Sequence, residues 1–177
     1  DLRLCVGGAE HVHCLLEPLQ LLAMVEESSV RAATIKSLEQ VASAMNDEQI
    51  AKSYVPFVLD MANKDWFTAR ISASALFAGI YPRVADSSRR NFRSTFLKLC
   101  MDVSPSVRRS ALIHMGAVAQ RASRQEVGLE FLGVFSALAN DQQDSVRIQV
   151  VPNCISLSRL VAREQQLGQI SPQQHTP

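Results

Sequence analysis

Turn-forming residues are scarce in this chain. Seven glycines and seven prolines stand among 177 residues, below the roughly 12% that these two types make up on average, so the elements between turns are long. Charge of one sign is missing too: 18 Lys+Arg against 17 Asp+Glu leave a formal net charge of +1. That balance excludes the basic footprint of a chain that lives on nucleic acid or anionic lipid. No uncharged apolar run reaches the ~18 residues that cross a bilayer; the longest, Ile71 to Pro82, is stopped by Arg83. The four cysteines, Cys5, Cys14, Cys100 and Cys154, show no C-x-x-C spacing and read as buried free thiols in a reducing compartment, not as a disulfide scaffold. Asp1-Leu2-Arg3-Leu4-Cys5 lacks the basic start and apolar centre of a secretion signal. The chain opens without Met, inside an apolar stretch, and is expected to be an excerpt of a longer protein.

Catalytic and ligand motifs are absent as well. There is no Gly-x-Ser-x-Gly elbow, no phosphate-cradling glycine loop and no G-x-G-x-x-G; Gly7-Gly8 reads as a turn. His11 and His13 stand two apart, and on a helix they point about 200° away from each other, so they read as surface residues without a third ligand. The carboxylates Glu26-Glu27 and Asp141/Asp144 fall in polar turns, where solvation and capping explain them. The run Arg89-Arg90-Asn91-Phe92-Arg93 reads as a solvated linker beside Asp86. No active site, metal or cofactor is expected.

What is present is apolar and periodic. Hydrophobic residues make up 47% of the chain, too many for a disordered one. Arg31, Arg70, Arg108 and Arg147 each follow a polar turn and stand 39, 38 and 39 residues apart. Sixteen residues before each lie Leu15, Tyr54, Phe92 and Phe131; twelve before, Leu19, Val58, Phe96 and Phe135; nine before, Leu22, Met61, Leu99 and Leu138. Three after lie Thr34, Ala73, Ala111 and Val150; seven after, Leu38, Phe77, Met115 and Cys154; ten after, Val41, Ile80, Val118 and Leu157. Steps of four and three put each set on one helix face. Each unit is therefore helix A, a short polar turn and helix B.

A two-helix period near 40 defines HEAT and armadillo arrays. The expected fold is all-α, a HEAT-repeat solenoid of about four helix pairs over residues 1–163, in repeats 9–45, 48–84, 87–123 and 125–163. Residues 164–177 are expected to be a disordered tail. The A helices are expected near 12–24, 48–62, 90–101 and 125–139, and the B helices near 29–45, 67–82, 105–122 and 144–162. Ser104 and Asp144 suit the N-cap, Pro105 the first helical position, and Pro82 a helix end. Pro152 falls inside the fourth B helix and is expected to kink it. The four arginines are expected to form a stacking ladder near Glu26, Asp65, Asp102 and Asp144; a phosphate grip is the lesser reading. The A–B turns line the edge where a solenoid binds. In the second turn Trp66 and Phe67 occupy a slot that is polar elsewhere, either as an interface anchor or folded back between turns.

Several segments resemble the scaffold (A) subunit of serine/threonine protein phosphatase 2A: Val12-His13-Cys14-Leu15-Leu16, Met24-Val25-Glu26-Glu27, Asp65-Trp66-Phe67-Thr68-Ala69-Arg70, Tyr81-Pro82-Arg83-Val84, Val107-Arg108-Arg109 and Asp141-Gln142-Gln143-Asp144-Ser145-Val146-Arg147. The likeness spans roughly residues 5–163. It implies a non-catalytic scaffold segment from the N-terminal half, which holds interchangeable regulatory B subunits through its intra-repeat turns. The turn positions carried over are Glu26, Glu27, Asp65, Trp66, Phe67, Thr68, Ser104, Pro105 and Arg109, extended to Asp144 and Ser145. The resemblance further implies that the catalytic subunit is held by repeats outside this segment, and a cytoplasmic or nuclear location. The alternative is an importin-like transport adaptor gripping peptide cargo on its B helices, which calls for acidic or Asn/Trp columns there. A cut array is also expected to self-associate through bare apolar faces.

Overall fold

The computed structural model describes residues 7–168, which form helices joined by short turns, with no strand among them. Gly7 and Gly8, both at positive φ (87° and 100°), turn the chain into α1, a conformation that glycine adopts without a Cβ clash. Helix α1 starts as 3₁₀ over Ala9–Leu15 and continues as α over Leu16–Ala23. Then follow α2, Ser28–Ala44; α3, residues 47–62; α4, Phe67–Ile80, with a 3₁₀ turn at Tyr81–Arg83; and α5, Asp86–Cys100. The last three are α6, Pro105–Ala119; α7, residues 124–139; and α8, Asp144–Gly168. Both α3 and α7 widen into a π-helical turn, at Ile50–Tyr54 and Val127–Phe131. In α3 Pro56 follows this turn and has no N–H to donate to it, but α7 makes the same turn with Gly133 at the matching position.

Odd helices pack against the even helix that follows, and α2, α4, α6 and α8 stack in sequence. The periodic columns supply the core. Tyr54, Phe92 and Phe131 are buried, as are Val58, Phe96, Met61, Leu99 and Leu138. Phe77 is wedged between Phe92 (centroids 4.4 Å apart) and Phe96 (5.3 Å). Departures sit in the outer repeats. Leu22 is 46% exposed and Cys154 is exposed, because no neighbouring pair covers their faces. Of the three cysteines in the described residues only Cys100 is buried, and burial pushes its thiol well above the usual range; Cys5 lies outside them. The expected buried thiols are therefore corrected for Cys14 and Cys154.

Four further expectations change. The Arg89–Arg93 run is not a solvated linker: it lies within α5, and Arg93 is buried. Its guanidinium forks onto Glu130 (2.9 and 2.8 Å), reaches Glu126 and donates to the Tyr81 hydroxyl at 3.2 Å. Both glutamates belong to α7, so the pair ties two repeats together. Ser104 stands at the N-cap without a side-chain bond, and Asp144 is the first residue of α8. Instead an aspartate two residues before each cap closes the turn: Asp102 accepts from Ser104 N–H at 2.8 Å and Asp141 from Gln143 N–H at 2.9 Å. The α8 helix passes through Pro152 and takes in residues 164–168, the start of the expected tail; residues 169–177 lie outside the described residues. Pro152 sits on the exposed side, so the Ile148 carbonyl it leaves unpaired faces outward.

Candidate functional site

The four A–B turns, at 24–27, 63–66, 101–104 and 140–143, lie along one edge, and the arginine ladder joins the last three of them. Each arginine donates through Nη1 to carbonyls six and five residues back in its own turn: Arg31 to Val25 and Glu26 (2.8 and 2.6 Å), Arg70 to Lys64 and Asp65 (2.8 and 2.6 Å), Arg108 to Asp102 and Val103 (2.8 and 3.3 Å). Arg147 does so to Asp141 at 2.6 Å. The Nε/Nη2 side then reaches across the seam. Arg70 forks onto Asp102 at 2.7 and 3.0 Å, and Arg108 onto Asp141 at 2.7 and 2.8 Å.

Acids of the same turn are the expected partners of this ladder, yet only Arg147 uses one, pairing with Asp144. The carboxylates that close the seams belong to the following repeat. Planar, bidentate geometry between largely buried side chains is the strong form of such a pair. The Arg108 hydrogen bonds hold the Asp141 carboxyl below the usual carboxylate range, which corrects its reading as an ordinary solvated acid.

The turns differ in what they present. In the first, Glu27 caps α2 by accepting from Ser29 N–H and Oγ–H at 3.1 and 3.0 Å; these bonds lower its pKa. Glu26 is exposed. In the second, Asp65 is exposed, Trp66 is 51% exposed and Phe67 38%, their rings tilted at 44° with centroids 5.9 Å apart. Thr68 points the other way. It is buried and donates its hydroxyl to the Met24 carbonyl, while Ser72, one turn on, donates to Ala23 at 2.7 Å. Thr68 therefore fixes the turn from below and does not reach the outer surface.

In the third turn Ser104 and Pro105 are half-buried and Arg109 is exposed. Asp144 and Ser145 in the fourth are exposed. Trp66 is thus on the outside of the edge, with Phe67 as its support. Two residues extend this apolar surface that sequence reasoning passed over: Met101, 51% exposed, and Val103, 92% exposed, both in the turn that Arg70 joins to the second. The signal was available, since Val103 fills a slot held by Asp65 and Gln142 elsewhere.

The rest of the surface offers little chemistry. A groove of about 350 Å³ between α6 and α8 is lined by Ile113, Gly116, Ala117, Gln120, Gln149, Pro152 and Asn153. Its one buried polar group, Asn153, is spent: it donates to the Leu112 carbonyl at 2.8 Å and accepts from Gly116 N–H at 3.0 Å. His11 and His13 are exposed, and no three acid, histidine or cysteine side chains gather into a metal site among the described residues.

Stacked helix pairs with an inter-repeat Arg–Asp ladder define the chain as a HEAT-type helical-repeat protein. The crystal structure of Cex1p matches the fold, with a TM-score of 0.69 over 98% of this chain and 33% of that one, at 14% identity. No family model matches the chain. Among curated proteins, the chain is 38% identical over 170 residues to a probable serine/threonine-protein phosphatase PP2A regulatory subunit of Caenorhabditis elegans, covering 94% of this chain and 28% of that protein. It is 39% identical over 130 residues to the protein phosphatase 2A scaffold subunit of Dictyostelium discoideum, covering 73% and 22%. It is 41% identical over 115 residues to the beta isoform of the human 65 kDa regulatory (A) subunit, covering 65% and 19%. Over this stretch the chain is homologous to the protein phosphatase 2A scaffold (A) subunits, and it spans at most 28% of the length of these relatives.

Proposed function

We propose that this chain is a non-catalytic scaffold segment of protein phosphatase 2A that docks regulatory B subunits along its turn edge. The observation that carries the reading is the second turn. An aromatic pair stands half-exposed in the slot that Glu27-Ser28, Ser104-Pro105 and Gln143-Asp144 fill in the other turns, held by the Arg70 and Thr68 bonds beneath it. Preorganised aromatics with a rigid base are the residues that dominate interface energies. Glu26, Glu27, Asp65, Arg109, Asp144 and Ser145 supply a polar rim, and Ser104 and Pro105 shape the third turn. The adaptor alternative needs polar columns along the B helices, and there Thr34, Ala73, Ala111 and Val150 are buried.

The catalytic subunit is held by repeats outside this chain, and the partners are proteins, neither nucleic acid nor membrane. No described helix is long and apolar enough to cross a bilayer. The setting is the cytoplasm or nucleus. Co-precipitation with B-type subunits tests the docking: Trp66→Ala weakens capture at least about tenfold, and Arg109→Ala less. Unchanged capture by both variants removes the turn-edge reading, and the catalytic subunit offered by itself stays at background.

A further inference from the structure

Three of the four ladder arginines have their guanidinium spent, two on the next repeat's aspartate and Arg147 on Asp144. Arg31 does not. Its Nη1 is fixed on Val25 and Glu26 as in every other unit, but no partner takes its Nε/Nη2 side among the described residues. The reason is in the register. Asp102 and Asp141 stand six residues before the arginine of their own repeat, and in the second repeat that position is Lys64. Lys64 turns back to Asp60 at 2.9 Å. Among the described residues no carboxylate is within ion-pair distance of Arg31: Glu27 bonds to Ser29 and acts on Arg31 only through its charge, and Asp60 is taken by Gln20 and Lys64.

The first seam therefore presents a half-buried, pre-oriented guanidinium fork on the same edge as the Trp66–Phe67 pair. We propose that this fork is a binding site for one carboxylate of the regulatory subunit, an Asp or Glu side chain that takes the place Asp102 and Asp141 hold at the other two seams. The inference rests on the turn-edge reading above and names the chemistry at its first seam. A carboxylate is the right occupant because the same fork, on the same anchor, closes on one at 2.7–3.0 Å in the next two repeats. Fixing Nη1 in advance removes part of the ordering cost that an exposed arginine loses on binding.

Two measurements on this chain test it. Exchange of the Nε proton, followed by NMR, is expected to be at least tenfold faster for Arg31 than for Arg70 and Arg108. Lys64→Asp installs the missing acid in the chain itself and brings Arg31 to their level. An Arg31 proton already as protected as the other two overturns the proposal. In the binding assay, Lys64→Asp fills the fork and lowers B-subunit affinity about tenfold, Lys64→Ala stays within twofold of wild type, and Lys64→Asp adds no loss in an Arg31→Ala background. Additive losses in that double variant overturn the proposal. If Trp66→Ala weakens binding while Lys64→Asp does not, the fork fails and the turn-edge reading stands. If neither variant matters, both fail.

Discussion

At the first seam, between α1/α2 and α3/α4, Thr68 and Ser72 donate to the end carbonyls of α1, and Arg83 caps α2 through Ala42 and Met45 at 2.8 and 2.7 Å. At the third, between α5/α6 and α7/α8, Arg108 closes on Asp141, Arg93 closes on Glu126 and Glu130, and the Asn153 amide splices into α6. The helices and their spacing are alike at both. One seam is stitched chiefly by hydrogen bonds to helix-end carbonyls, the other by largely desolvated ion pairs. Hydroxyl-to-carbonyl bonds tolerate acid and salt. Ion pairs concentrate more energy in fewer atoms, demand closer geometry and fail when either charge is lost.

The contrast can be broken one seam at a time. Because repeats are coupled chiefly to their neighbours, hydrogen exchange resolved by helix is a better readout than a single melting curve. Arg93→Ala has the largest effect, about 3 kcal/mol at the third seam, since it leaves Glu126 and Glu130 facing a buried void. Equal protection of α5 and α7 in that variant and in wild type would refute the structural role of the pair. Asp141→Asn follows, at about 2 kcal/mol near neutral pH.

That loss carries a pH signature. The carboxyls of Asp141 and Glu130 are held below their ordinary range by their arginines, so their contribution is fully present above about pH 4 and fades as pH falls through the lowered folded values. The Asp141→Asn difference therefore shrinks toward zero in acid, and the third seam opens before the first. The half-exposed Gln20–Asp60–Lys64 cluster adds only a small acid response at the first seam. Thr68→Val costs about 1 kcal/mol, independent of pH over the same range. Arg31→Ala costs the least, below about 1 kcal/mol, because no carboxylate is stranded. An Arg31→Ala loss equal to that of Arg70→Ala would erase the difference between the seams.

Beyond the seams, the outer face of α8 gives one more comparison. Leu112 and Met115 of α6 are fully buried beneath α8, while their counterparts in α8, Val151 and Cys154, are exposed, Val151 to 68%. Ile155 beside them is 57% exposed. The isolated chain is expected to self-associate reversibly through this face; sedimentation as a clean monomer across a wide concentration range would count against it.

Much of this was legible in the residues. The six apolar columns located every helix pair, and Asp65-Trp66-Phe67-Thr68 marked the turn that stands out. What stayed hidden was which side of a residue faces which repeat. Arg93 looked like one more basic residue in a polar run, because its glutamates lie 33 and 37 residues away. Thr68 looked like a surface neighbour of Trp66, although α4 turns it inward onto Met24.

By itself, the sequence determined the period, the helix pairs and the all-α class, since these follow from local spacing: apolar positions four and three apart make a face that must be covered. Tertiary structure alone decided the partners. Whether an arginine meets an aspartate, a lysine that has turned away or a pair of glutamates depends on the register of one repeat against the next. That register is set by packing across the seam, where residues more than thirty positions apart come within hydrogen-bond distance.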